Sequence, residues 1–122
     1  MKKIFLIIIV CLGLFYFNSC TKPENKICAC GVKNPAKNLP WLAELIKTAE
    51  SDETLLYFGA IWLENYYGQD VFVTNMPLGG FLYRVFDCEG NDLFNNNDEY
   101  WYFLNHLKKD IVIYVSPNYP LN

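Results

Sequence analysis

The first twenty residues constrain this chain most, because they are typical of a targeting segment rather than of a folded domain. Lys2 and Lys3 form a positively charged start, and an uncharged, largely apolar run follows from Ile4 to Phe17. Fourteen residues are too few to cross a bilayer comfortably as a helix, but they suit the apolar core of a secretory signal peptide. If the segment ends at Ser19, the part that must fold is 103 residues long.

The end of this segment places a small residue directly before a cysteine. Asn18-Ser19-Cys20 follows the apolar run, and no Ala-x-Ala-like cleavage site is present. The pattern resembles a bacterial lipoprotein signal peptide, with Phe17 where leucine is usual. The resemblance implies a signal peptide over residues 1–19 and a membrane anchor of diacylglycerol plus a further acyl chain, such as palmitate, on Cys20. The alternatives are an ordinary secretory peptide and an uncleaved N-terminal anchor.

The charge of the mature part limits its partners. Without Lys2 and Lys3, eight basic side chains stand against 13 acidic ones, and the net charge falls from −3 to −5. No basic stripe remains to neutralise nucleic-acid phosphates, and an acidic domain is not attracted to an anionic lipid surface. We therefore expect no nucleic-acid partner and a membrane contact made through the lipid alone.

The cysteines are consistent with an exported protein. Cys28 and Cys30 are separated by one residue, so a bond between them would close a small, strained ring. A bond from one of them to Cys88 is favoured, and we prefer Cys30 because Gly31 beside it lets the backbone approach closely. The alternative is Cys28–Cys88, and the cysteine left over is expected to stay free or capped. Residues 20–37 are thus predicted to be a lipidated tether and a stapled arm.

Hydrophobic periodicity predicts two helices. Apolar side chains recur at helical spacing from Asn38 to Ser51, with Asn38 as candidate N-cap and Pro40 in the first turn. The second helix is predicted to have Asn97 or Asp98 as its cap. Its acidic first turn and the later Lys108 and Lys109 suit the helix dipole, and its predicted buried stripe is Trp101, Leu104 and Leu107.

Four strands are predicted from runs of β-branched and aromatic residues between turn signals. Gly68 and Gly90 mark tight turns at 67–70 and 88–91. The predicted strands are Thr54–Tyr66, Val71–Asn75, Phe81–Asp87 and Ile111–Val115, with a short pairing segment at Asp92–Phe94. The order α-β-β-β-α-β predicts an α+β domain over residues 38–122, with a mostly antiparallel sheet and the helices packed on one face.

Several of these segments carry a second resemblance. A C-x-C-G-V-x-N-P segment over 28–35, an L-P-W-L helix start over 39–42 and the later turns resemble small Bacteroidetes-type lipoproteins of unknown function. The similarity covers roughly residues 28–94. It implies an outer-membrane lipoprotein of the cell envelope and brings no established activity. Because no acidic run follows Cys20, we expect the periplasmic side rather than the cell surface.

Residues that could carry chemistry are few. His106 is the only histidine, and with Cys28 and Cys30 it lacks the ligand spacing of a metal site, so we expect no metal and no cofactor. Cys28-x-Cys30 also differs from the C-x-x-C motif at a helix N-terminus that is typical of redox centres. We therefore expect a non-enzymatic binding or accessory module. The alternatives are a thiol-disulfide redox protein using Cys28 and Cys30, and a purely structural envelope lipoprotein.

Aromatic residues make up 17% of the chain, and their bulk suits either a core or a binding face. We favour the core for most of them. The candidates for an exposed face toward an envelope protein or glycan are Trp62, Tyr66, Tyr67 and Tyr83. The aliphatic and aromatic residues predicted to be mainly buried are Leu42, Leu45, Ile61, Val71, Val73, Phe86, Leu104 and Ile113.

Overall fold

Strands and helices alternate along the computed structural model, which describes residues 27–51, 59–75, 83–117 and 119. The predicted signal peptide, Cys20 and the first residues of two predicted strands, 54–58 and 81–82, lie outside the described residues. The elements are β1 (Cys28–Ala29), β2 (Val32–Lys33), α1 (Pro35–Asn38), α2 (Pro40–Glu50), β3 (Ala60–Tyr66), β4 (Gln69–Asn75), β5 (Tyr83–Phe86), α3 (Asn97–Leu104) and β6 (Ile111–Val115).

The centre of the fold is a four-stranded antiparallel sheet in the order β5-β4-β3-β6, beside a separate β1–β2 hairpin. Tyr67 and Gly68 join β3 to β4, and both have positive φ, 48° and 82°. Two such residues form a type I′ turn, whose twist matches that of the flanking strands. The predicted hairpin and the α+β class with the order α-β-β-β-α-β are confirmed.

The two larger helices cover opposite faces of this sheet. Leu42 and Ile46 of α2 pack with Phe72, whereas Phe103 of α3 packs with Val73 in a second core cluster. Neighbouring residues of a strand point to opposite faces, and residues 71–74 are all buried. The expectation that both helices lie on one face is therefore wrong, because a sheet that is apolar on both faces must be covered on both.

The helix starts differ from the predicted ones by one or two residues. Leu39 rather than Asn38 caps α2, and the Asn38 side chain instead donates to the carbonyl oxygen of Lys33. Pro40 does stand in the first turn. Asn96 caps α3, where its side-chain oxygen accepts a hydrogen bond from the backbone N–H of Asp98 at 2.9 Å.

The buried stripe of α3 also differs from the predicted one. Trp101 is 52% exposed, and Phe103 is buried in its place, with Leu104 and Leu107 half-buried. Aromatic side chains stand at four consecutive positions of this eight-residue helix, so periodicity alone cannot identify its inner face. Of the predicted core, Leu42, Ile61, Val71, Val73 and Phe86 are buried and Leu45, Leu104 and Ile113 are half-buried.

A disulfide joins the arm to the sheet. Cys30, in the β1–β2 turn, is bonded to Cys88 after β5, with their Cα atoms 5.6 Å apart, which is the pairing preferred from the sequence. The backbone N–H of Cys30 donates to Asp70 Oδ2 at 2.8 Å, and Trp41 Nε1 donates to the Cys88 carbonyl at 2.8 Å. Cys28 is also disulfide-bonded, so the expectation that it stays free or capped is wrong.

Candidate binding cleft

A cleft of about 490 Å³ opens beside the end of β3, a volume in the range of small-ligand sites. It exists because β6, the neighbour of β3 on that side among the described strands, pairs only as far as Leu63↔Ile111 and leaves Glu64–Tyr66 without a described strand partner there. The turn after β3, the end of α3 and the start of β6 provide the walls. We call this site the β3 cleft.

The inner wall of the β3 cleft is a rigid aromatic cluster. The ring of Tyr66 makes edge contacts with Tyr67, Phe94 and Phe103 at centroid distances of 4.6, 5.1 and 5.7 Å. Desolvation, followed by the negative charge of Glu99, raises the pKa of the Tyr66 hydroxyl above its ordinary value. A tyrosine hydroxyl is neutral at physiological pH even without this shift, so Tyr66 is a neutral hydrogen-bonding group of the cleft.

Two exposed rings stand at the rim. Tyr67 is 85% exposed and Tyr102 is 60% exposed. The turn geometry and the contact with Tyr66 position Tyr67. The ring centroids of Tyr102 and His106 are 4.4 Å apart, at an interplanar angle of 34°. Each exposed ring is thus supported by a neighbouring ring.

His106 is oriented by its own helix end. Its Nδ1 lies 2.7 Å from the carbonyl oxygen of Tyr102, and a carbonyl oxygen only accepts hydrogen bonds. Nδ1 must therefore carry the proton, and in the neutral imidazole Nε2 is an acceptor. The cleft thus contains an aromatic ring stacked beside a defined hydrogen-bond acceptor.

Acidic side chains predominate around the cleft, and two of them accept hydrogen bonds from backbone N–H groups. Glu64 Oε1 accepts from the backbone N–H groups of Lys108 and Lys109 at 3.1 and 2.7 Å. Asp70 accepts from the backbone N–H of Cys30. Asp110 also lines the cleft, with Lys108 as its basic counterpart. The excess of carboxylates disfavours anionic ligands.

The four aromatic candidates from the sequence do not form one surface. Tyr66 and Tyr67 meet at the β3 cleft, but Trp62 is only 5% exposed and packs near Tyr83, at a centroid distance of 6.4 Å. Lys109 Nζ lies 5.0 Å from the Trp62 ring centroid and 2.6 Å from the hydroxyl of Tyr83. Trp62 and Tyr83 therefore both contact Lys109 in the folded protein.

Sequence reasoning did not single out Tyr102, and it considered His106 as a possible metal ligand rather than as a residue of a binding face. The signal was their spacing of four residues, which puts two side chains on one helical face. What the spacing could not show was the neighbouring hairpin that carries Tyr67.

The described residues offer aromatic faces and hydrogen-bonding side chains at the cleft. They contain no group of three or more His, Cys, Asp or Glu side chains that could hold a metal ion. No helix within the described ranges is long and apolar enough to cross a membrane. Comparisons of the chain with protein-family models, curated proteins and solved structures find no match.

Proposed function

We propose that this protein is a lipid-anchored lipoprotein of the cell envelope whose domain is a non-enzymatic binding module. The β3 cleft is its ligand site, and the lipid on Cys20 is its attachment to the outer membrane, with the domain on the periplasmic side. The ligand is an envelope protein or glycan.

One observation carries the binding function, namely the ring of Tyr67. The residue occupies the first position of a type I′ turn with φ of 48°, where Asn would be favoured. Its ring is 85% exposed. A large aromatic side chain at this position therefore contributes little to the turn, but it supplies the rim of a ligand-sized cleft. Residues that depart from local structural preference are expected at functional sites.

The two alternative functions receive less support. A redox protein would use Cys28 and Cys30 as a mutual pair, whereas the sulfur of Cys30 is bonded to Cys88. A purely structural lipoprotein would have no use for the exposed pair Tyr67 and Tyr102 beside a cleft.

The anchor is tested by metabolic labelling with an alkyne fatty acid in cells that express the full chain. We expect label on the wild type and on Cys28→Ala, and none on Cys20→Ala. Cys20→Ala should also leave the detergent phase in phase separation. Label or detergent partition that persists in Cys20→Ala would contradict the anchor. Removal of the domain from intact cells by protease would contradict the periplasmic side.

The binding function is tested by cross-linking in intact envelope, followed by capture of the protein. Tyr67→Asn removes the ring and preserves the turn, because Asn-Gly is a preferred type I′ pair. Trp101→Ala is the control, since Trp101 is an exposed aromatic residue of α3 that does not line the cleft. We expect cross-linked material with the wild type and the control and a loss with Tyr67→Asn. Equal capture by all three folded proteins would contradict the proposed site.

A further inference from the structure

We infer that the β3 cleft binds a short, uncharged glycan whose C–H faces stack on Tyr67 and Tyr102. This inference rests on the proposed binding function and names the ligand class of the same site. It combines the exposed rings, the polar groups that line the same cleft and the charge of the lining.

The rings provide the stacking surfaces. A pyranose ring presents a face of C–H groups that matches the negative face of an aromatic ring. Tyr67 and Tyr102 expose most of their surface, and the contacts with Tyr66 and His106 hold them in place. Each ring contacts a neighbouring ring that restricts its rotamers, which lowers the side-chain entropy lost when a ligand stacks on it.

The polar lining suits hydroxyl groups, which both donate and accept hydrogen bonds. Asp110 offers carboxylate oxygens, His106 offers Nε2 as an acceptor and Lys108 offers an ammonium donor. All three residues are exposed. Donors and acceptors thus occur together beside the aromatic rim, as an unmodified sugar requires.

The charge of the lining disfavours anionic ligands. Three carboxylates, from Glu64, Asp70 and Asp110, line the cleft together with the single lysine Lys108. Phosphate-bearing or uronic-acid ligands would meet net repulsion.

A peptide that added a strand to the sheet is also disfavoured. Within the part of the chain that the structure describes, the stretch of β3 left unpaired on this side is the three residues from Glu64 to Tyr66. Main-chain pairing over so short a stretch supplies few of the hydrogen bonds that give strand addition its affinity. The side chain of Glu64 is also engaged with the backbone of 108–109.

The test is saturation-transfer NMR on the full-length lipidated protein in a zwitterionic detergent, because detergents with sugar headgroups would compete for the cleft. The neutral probes are the tetrasaccharides of β-1,4-linked glucose, β-1,4-linked N-acetylglucosamine and α-1,4-linked glucose. The tetrasaccharide of galacturonic acid is the anionic probe. We expect transfer to the ring C–H protons of at least one neutral probe, with little dependence on salt, and none to the anionic probe.

Variants then assign the signal to the cleft. Tyr67→Asn and Tyr102→Ala should each weaken the affinity for that neutral probe by about tenfold, the effect of losing one stacking ring. Trp101→Ala should leave it unchanged. The inference is overturned if no neutral probe shows transfer, if the anionic probe binds more tightly, or if the two cleft variants bind like the wild type.

The outcome also separates the two proposals. If Tyr67→Asn loses its envelope cross-links while no neutral probe binds, the glycan inference falls and the binding function of the cleft stands. A cross-linked partner identified as a protein would point to the same conclusion. If neither the probes nor the cross-links depend on Tyr67, both proposals fail.

Discussion

Gly90→Ala offers the sharpest test of how the disulfide-bearing turn packs on the domain. Gly90 has φ of +86°, and a Cβ built on it would lie 2.7 and 2.8 Å from Cδ2 and Cγ of Trp41. The indole has little room to move, because its Nε1–H donates to the Cys88 carbonyl and its ring contacts Phe72 and Phe86 at centroid distances of 5.6 Å. Alanine at this position is therefore both strained and in steric conflict.

The loss of stability expected for Gly90→Ala can be worked out by comparison with a second glycine of similar φ. Gly68 has nearly the same φ, +82°, but a Cβ there would have nothing within 4 Å. Gly68→Ala should thus lose only the preference for the left-handed region, about 1–2 kcal/mol. Gly90→Ala carries the same penalty and adds overpacking of about 1–3 kcal/mol. The expected total of about 2–5 kcal/mol is a large part of the stability of a small domain.

The measurement is urea denaturation of both variants, monitored by far-UV circular dichroism. The buffer contains neither oxidant nor reductant, so that the disulfide stays intact. The difference between the two losses isolates the contact with Trp41, provided that the m-values agree. In a Trp41→Leu background, Gly90→Ala should cost no more than Gly68→Ala. If the two single variants lose equal free energy of unfolding, the indole does not lie against the turn and the reasoning is refuted.

Three further changes probe other parts of the fold in the same denaturation assay. Replacing both Cys30 and Cys88 by Ala should lower the free energy of unfolding by about 4 kcal/mol, since the bond spans a sequence separation of 58. A loss below about 1 kcal/mol would show that the bond does little to constrain the unfolded chain. Leu42→Ala, at a fully buried position, should lose about 2–5 kcal/mol, and a near-neutral effect would contradict the α2 face. Arg84→Ala should lose less than about 1 kcal/mol, because its ion pair with Asp92 is about half exposed; a larger loss would show that this pair does more than a surface contact.

Local sequence signals determined much of the fold. Pro40 and the apolar spacing after it predict α2, and Gly68 predicts the turn of the β3–β4 hairpin. These features are readable because their physical causes act within a few residues: a fixed φ, a permitted positive φ and the period of a helix. The Cys30–Cys88 bond, which was the pairing preferred from the sequence, is present in the structure. A bond between Cys28 and Cys30 was disfavoured because it would close a small, strained ring.

Tertiary packing decided the rest. The sequence shows that both faces of the central strands are apolar, but not which helix covers which face, because either helix could supply the missing apolar surface. It likewise could not choose Phe103 over Trp101 as the inner residue of an aromatic-rich helix.

The β3 cleft depends still more on tertiary structure. Tyr67 lies far along the chain from Tyr102 and Asp110, and the three residues line one cleft because β6 stops pairing at Leu63↔Ile111. That register depends on which β6 side chains pack on each face of the sheet, and it shifts between Ile61 and Trp62. The sequence by itself therefore predicted the local elements and favoured the Cys30–Cys88 bond, whereas only the folded sheet brought the candidate binding residues together.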